Sequence, residues 1–331
     1  MAERARHDDE MRYRTWWPRP PMALPTALLV LLAQACSGGA GAEADAGTAA
    51  RGDTGAPAGG DAGDDSAGDA NDDVARDGAL ASRCTVASTT ITCAHDVLSL
   101  SDSLGTRTVA YATPLGAPPS SGWPAVVYFQ GSLVAGHDAF TGSKSDPFGI
   151  YNLALTVKAL LDRGYAVVAP DASGNGSTYW ETNMPPYAVS WSGCPDDVLM
   201  QNLFAAARVG KFGPIDTTHL YAMGISSGGF MTSRMAVSYT GRFRALADSA
   251  GSYATCSATC SVPTPLPNDH PPTLFLHGDA DNVVPMSSVQ PYVDALRAEG
   301  HEVKVITDAD AGHEWLVEGP MAIPAWFDMH R

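Results

Sequence analysis

From Ala125 onward, apolar and polar positions follow two periods in turn. Short, almost uniformly apolar runs at Ala125–Phe129, Tyr165–Pro170, Leu220–Ile225, Arg244–Asp248, Thr273–Leu276 and Glu302–Thr307 predict strands. Between them, the spacing predicts helices over Tyr151–Asp162, Asp196–Val209, Gly228–Tyr239 and Ser288–Ala298. Gly164, Gly210 and Gly300 follow three of these as C-caps, and Asp196 or Asp197 is placed to cap the second. Strands apolar on both faces, alternating with helices, predict an α/β domain with a mostly parallel central sheet covered by helices on both faces. Upstream, residues 107–113 alternate as a strand, and Cys84 to Cys93 enclose a Val/Thr/Ile-rich stretch that predicts a small hairpin.

The first 82 residues lack this pattern. Arg12, Arg14 and Arg19 precede an apolar run from Met22 to Ala35, too short to span a bilayer and of the length of an export-signal core. Residues 1–36 therefore read as an export signal. Its end, Ala33-Gln34-Ala35-Cys36, resembles a bacterial lipoprotein signal with Cys36 as the lipidated residue. The other reading is an ordinary secretory signal cleaved nearby. Residues 37–82 are mostly Gly, Ala, Asp, Ser and Thr, with almost nothing apolar larger than Ala to offset the entropy of ordering, and read as a disordered tether. Residues 83–331 form the predicted catalytic domain. The net charge of −16 argues against a nucleic-acid partner, which would need clustered Lys and Arg.

The chemistry starts at Gly224-Ile225-Ser226-Ser227-Gly228. An apolar strand runs into Gly-x-Ser-x-Gly and a helix follows, the pattern that lifts a serine hydroxyl on a sharp turn above a sheet edge. The glycine spacing selects Ser226 over Ser227 as nucleophile. A serine hydroxyl needs a base, and the base an orienting acid. On this type of turn the acid and then the histidine follow in chain order. The loop after Thr273–Leu276 offers Asp279 and Asp281, one of which is a turn residue. The loop after Glu302–Thr307 offers His313. His277 precedes the acid and His301 opens a strand. Oxyanion donors are expected from the N–H of Ser227 and from the loop Gln130-Gly131-Ser132, at Ser132 or its neighbour Leu133.

These residues resemble the extracellular polyhydroxybutyrate-depolymerase and feruloyl-esterase-like branch of the α/β-hydrolases. The blocks that carry the resemblance are Val126–Gly131, Asp196-Asp197-Val198, Gly224–Thr232, and His277-Gly278-x-x-Asp281-x-x-Val284-Pro285 with Gly312-His313. They span residues 110–331 in the family's order. The resemblance implies an α/β-hydrolase fold and an esterase with no cofactor and no metal. It makes Asp281 the triad acid and Asp279 the turn residue. Two departures stand out. Gln130-Gly131 replaces the family's His-Gly, and Glu314-Trp315-Leu316 replaces x-Trp-Pro-Gly.

Trp180, in the long loop 173–194, and Trp315 are candidates to flank the substrate in a pocket. Export predicts disulfides. Cys84–Cys93 is the local pair, and Cys194 is expected with Cys256 or Cys260. The reading is an exported serine esterase acting on a small or polymeric ester. Its membrane contact runs through the lipid anchor alone, and its oligomeric state is open. A peptidase of the same fold, or a surface binding protein on an inactive scaffold, are the alternatives.

Overall fold

A computed structural model describes residues 82–172, 179–183, 186–256 and 262–331. The export signal, Cys36, the tether and Cys260 lie outside them. The strands are β1 (Cys84–Val86), β2 (Thr90–Cys93), β3 (Asp96–Ser101), β4 (Thr106–Ala112), β5 (Trp123–Phe129), β6 (Thr141–Ser143), β7 (Ala166–Pro170), β8 (Ile215–Ile225), β9 (Phe243–Ser249), β10 (Thr273–Gly278) and β11 (Val303–Asp308). The helices are α1 (Ile150–Asp162), α2 (Pro195–Arg208), α3 (Ser227–Ser238), α4 (Met286–Ala298) and α5 (Gly319–Met329).

Eight strands form the main sheet in the order β11-β10-β9-β8-β5-β7-β4-β3. From β11 to β7 they are parallel, and β4 and β3 add an antiparallel edge. This is the predicted α/β-hydrolase architecture. Successive residues alternate between the two faces, as strand geometry requires. Val126, Tyr128, Tyr221, Met223, Leu274 and Leu276 pack with Val157 of α1 and Ile323 and Phe327 of α5. Val127, Phe129, Leu220 and Ala222 pack on the other face with Leu199 of α2 and Met231 of α3. Phe275 joins Val289 and Val293 of α4 on that second face.

β1, β2 and β6 form a small separate sheet. Cys84 and Cys93 are register partners in its hairpin and are joined by a disulfide, as the local spacing predicts. The pairing expected for Cys194 is overturned. Its thiol is free and buried, and its Sγ accepts the Asp197 N–H at 3.4 Å as the N-cap of α2. Cys256 is disulfide-bonded to a partner outside the described residues. With Cys194 at the cap, neither Asp196 nor Asp197 caps the helix. Asp196 instead accepts a 2.6 Å hydrogen bond from the buried Arg107 and a 2.8 Å bond from the Glu181 N–H. Arg107 also donates to the Ala172 carbonyl. The pair thus fixes the ends of the loop between β7 and α2.

Candidate active site

The parallel strands all end at one edge, and the loops leaving that edge carry the candidate side chains Ser226, Asp281 and His313. β8 breaks at Ser226, whose φ of 56° and ψ of −123° are strained for a residue with a side chain. The strain is held from both sides. The Ser226 N–H donates to the Ser249 carbonyl at 2.9 Å, and its own carbonyl accepts the Gly229 and Phe230 N–H groups at 2.8 and 3.1 Å. A Cβ on Gly224 would stand 2.2 Å from the Gly228 carbonyl oxygen, and one on Gly228 would stand 2.0 Å from that of Phe129. The motif is therefore a steric requirement, because β5, β8 and α3 meet backbone to backbone at this point.

Ser226 is partly exposed, whereas Ser227 is buried. The Ser227 hydroxyl accepts the Trp180 N–H at 2.9 Å, which ties it to the neighbouring loop. The Ser227 N–H lies in the first turn of α3, where amides have no acceptor within the helix and the helix end is positive.

Asp281 lies in the loop after β10, with its side chain wholly buried. Its Oδ1 accepts the Val283 and Val284 N–H groups, each at 2.8 Å. Its Oδ2 faces His313 Nδ1 at 2.7 Å. Burial pushes the carboxyl pKa up, but the His313 hydrogen bond and charge, with the two amides, outweigh it and hold the group below its usual range. An ionised carboxylate can only accept, so Nδ1 must carry the proton, leaving Nε2 of a neutral ring as the free base. Asp279 is exposed and its N–H bonds the Asp308 carbonyl, as a turn residue.

The loops that carry Asp281 and His313 are pressed together. A Cβ on Gly278 would lie 2.2 Å from the Ala311 carbonyl oxygen and 2.4 Å from that of Gly312. His277 is buried, and its Nε2 donates to the Val284 carbonyl at 2.7 Å, closing the acid loop. Burial lowers its pKa, so it stays neutral and acts as a brace. The structure thus brings Asp281 and His313 into contact. Ser226 leaves the same sheet edge from β8, two strands from β10.

The expected second oxyanion loop follows β5 and lies against Ser226. A Cβ on Gly131 would stand 3.6 Å from the Ser226 Cβ. Next to it are Ser132 and Leu133, the latter with φ of 70°. Gln130, where the family has His, is fully buried. Its Nε2 donates to the Val134 carbonyl, and its Oε1 accepts the Ala172 N–H at 3.3 Å. The side chain therefore closes this loop on itself and ties it to the end of β7. Sequence reasoning did not give Gln130 this role; its place directly after β5, where a histidine is usual, was the available signal.

The pocket assignment of the two tryptophans is overturned. Trp180 is fully buried, packs edge-on to Phe129, and its indole N–H donates to the Gln130 carbonyl at 3.1 Å. Trp315 is also buried, against Tyr128, and its indole N–H donates to Thr156 Oγ1 at 3.0 Å. In each case a carbonyl or hydroxyl within the fold satisfies the indole, and the ring is not offered to a ligand. Arg234 of α3 is likewise a brace. It is buried and donates to the Thr182 hydroxyl and carbonyl, each at 2.7 Å, and to the Ala188 carbonyl at 3.2 Å.

One buried carboxyl serves neither role. Asp248, at the end of β9, is pushed well above the usual carboxylate range by burial, with only the Gly251 N–H pulling the other way. Neither of its oxygens has a side-chain partner among the described residues. Because its folded pKa exceeds the unfolded one, its contribution favours folding at acid pH and is lost as pH rises through that interval. Asp248→Asn should therefore raise Tm by several degrees at pH 7.5, at about 2–4 °C per kcal/mol for a domain this size, and hardly at all at pH 4. Equal Tm values for variant and parent at both pH values would contradict this.

The prolyl oligopeptidase family model matches residues 151–261 and 257–328. The chain belongs to the prolyl oligopeptidase family. A relative, poly(3-hydroxyoctanoate) depolymerase of Pseudomonas fluorescens, is 45% identical over 258 residues, covering 76% of this chain and 92% of that protein. The depolymerase side of the resemblance is thereby borne out. Among solved structures, a puromycin-hydrolysing peptidase of Mycobacterium tuberculosis aligns with a TM-score of 0.52 and 19% identity, over 71% of this chain and 39% of that one. A lidless α/β serine hydrolase of Xanthomonas campestris aligns with a TM-score of 0.46 and 16% identity, over 71% of this chain and 93% of its own. This member of the family is an ester-hydrolysing enzyme of the serine-hydrolase fold.

Proposed function

We propose that the chain is an exported serine esterase that depolymerises poly(3-hydroxyalkanoates), with Ser226 as nucleophile, His313 as base and Asp281 as orienting acid. The observation that carries the reading is the 2.7 Å contact of His313 Nδ1 with a buried Asp281, which holds the imidazole by that nitrogen at the edge that also carries strained Ser226. Ser226 Oγ attacks the ester carbonyl while His313 Nε2 takes its proton. The N–H groups of Ser227 and Ser132 hold the oxyanion. The proton passes to the leaving alkoxide, which departs as the alcohol. Water, deprotonated by the same nitrogen, then releases the acyl group from Ser226. The polyester as substrate is supported by the depolymerase relative.

Export is supported by the Cys84–Cys93 disulfide, which persists in oxidising compartments, and by the charged and apolar N-terminal sequence. On this reading Cys36 carries the lipid anchor, residues 37–82 tether the catalytic domain, and the domain begins at residue 83.

The test compares the parent with Ser226→Ala on p-nitrophenyl esters from acetate to octanoate and on a poly(3-hydroxyoctanoate) latex. The substitution should lower kcat by about 10⁵–10⁶-fold and abolish clearing of the latex. A Ser226→Ala protein that kept its activity would overturn the triad. A folded parent inert to every ester would favour a binding protein on a hydrolase scaffold.

A further inference from the structure

Asp248 neither faces solvent nor braces a loop through side-chain hydrogen bonds among the described residues, yet it stands directly beside the Ser226 turn. It lies near the end of β9, where its register partners are Gly224, the first glycine of the Gly-x-Ser-x-Gly motif, and Phe275 of β10. The next residue, Ser249, accepts the Ser226 N–H through its carbonyl at 2.9 Å. A buried acid without a side-chain partner departs from the rule that such groups are paired, and departures of this kind concentrate at functional sites.

The carboxyl sits where helix and loop converge. A Cβ on Gly229, in the first turn of α3, would stand 2.4 Å from Asp248 Oδ1, and one on Gly251, in the loop after β9, would stand 2.3 Å from the same oxygen. The Gly251 Cβ would also stand 2.6 Å from the Gly229 Cα. Helix and loop therefore approach backbone to backbone, and the carboxyl oxygen fills the angle between them. One turn further along α3, Ser233 Oγ donates to the Ser252 carbonyl at 3.0 Å, which keeps the same loop against the helix. Gly229 in turn donates its N–H to the Ser226 carbonyl at 2.8 Å. β9 thus holds Ser226 from both sides: through Ser249 at its N–H, and through Asp248 and Gly229 at its carbonyl.

We propose that Asp248 is a positioning residue for the nucleophile: its carboxyl is a wedge that sets the first turn of α3 against the loop after β9, and so fixes the Ser226 turn and the Ser227 N–H. The inference rests on the reading of Ser226 as nucleophile given above. The role belongs to the reach and planar shape of the side chain. Asparagine preserves both, whereas valine ends one atom short of the Oδ1 position. Without the wedge α3 relaxes toward the loop, and the Ser226 carbonyl follows Gly229. The hydroxyl and the Ser227 N–H then shift relative to His313 and Ser132. A misplacement of about 1 Å costs on the order of 100-fold in rate.

The experiment measures kcat and KM on p-nitrophenyl butyrate, and Tm, for Asp248→Val, Asp248→Asn and Gly251→Ala in the full chain, beside the parent and Ser226→Ala. Asp248→Val should lower kcat about 10- to 100-fold with KM within about 3-fold of the parent. Its Tm at pH 7.5 should stay at or above the parent's, because an apolar strand former replaces an unpaired buried acid. Activity lost without stability is what a merely structural residue would not show. Asp248→Asn, which keeps the wedge, should hold kcat within about 3-fold. Gly251→Ala presses a methyl onto the same oxygen and onto Gly229, and should lower kcat at least about 10-fold. If Asp248→Val loses stability as well, Gly251→Ala decides. Either of these two variants with parental kcat would overturn the wedge. So would an asparagine variant as impaired as the valine one, or a loss carried by KM. A parent inert to the ester, or an active Ser226→Ala, would instead overturn the serine-esterase reading itself.

Discussion

Asp281→Asn should lower kcat about 10⁴-fold while leaving the fold intact. The reason lies in how the carboxylate is already bonded. Oδ1 accepts two backbone N–H groups, from Val283 and Val284, and Oδ2 accepts from His313. In the asparagine variant the amide oxygen keeps the two backbone donors, so the amide NH₂ faces His313. Nδ1 must then accept, the ring proton moves to Nε2, and the nitrogen aimed at the nucleophile can no longer take a proton. Steady-state kinetics on p-nitrophenyl butyrate would show kcat collapsing with KM within a few-fold. A loss of less than about 10-fold would mean that Asp281 does not set the tautomer.

Gly228→Ala should also be damaging, for a steric reason. The added Cβ would sit 2.0 Å from the Phe129 carbonyl oxygen and 2.5 Å from that of Gln130. Both are backbone atoms, so no rotamer change relieves the overlap, and α3 must move away from β5. That movement separates the Ser227 N–H from the loop carrying Ser132. A displacement of about 1 Å costs on the order of 100-fold in rate, and forced overpacking costs about 1–3 kcal/mol in stability. The variant should therefore show kcat reduced at least 100-fold together with a lower Tm. A variant with unchanged kcat would show that the close approach of β5 and α3 does not position the site.

The strands of the parallel core were legible because a strand buried on both faces leaves an uninterrupted apolar run. Thr273–Leu276 and Tyr165–Pro170 are such runs, and both became strands with ends shifted by at most two residues. β3 escaped detection because Asp96–Ser101 is an edge strand, largely exposed, with a sequence that reads as polar loop. β8 starts at Ile215, ahead of the expected Leu220, because Ile215 pairs with Trp123, while the polar residues Asp216 to His219 lie in the register shift before Leu220 pairs with Ala125. α5 was hidden by Pro320 and Pro324, which read as breakers. Pro320 falls in the first turn, where its missing N–H has no partner to lose, and burial of Ile323, Trp326 and Phe327 offsets the bond lost at Pro324.

The site residues were legible where chemistry and sterics restrict residue type together. Gly224 and Gly228 frame Ser226 because nothing larger fits, and Gly278 and His277 frame Asp281 for the same kind of reason. The tryptophans were misassigned because a sequence gives no indication of which side of a loop an indole faces. Trp180 turned inward to a carbonyl of the loop it supports. Cys194 was misassigned because loop position alone does not reveal that a thiol is caught at a helix N-terminus.

The most direct measurement is covalent labelling of the full chain with a p-nitrophenyl phosphonate, followed by peptide mapping in the mass spectrometer. The account predicts one adduct per chain, located on Ser226, with esterase activity lost in step. Labelling should be absent in Ser226→Ala and strongly slowed in Asp281→Asn. An adduct on Ser227 or another residue, or full ester hydrolysis with Ser226 unlabelled, would contradict it.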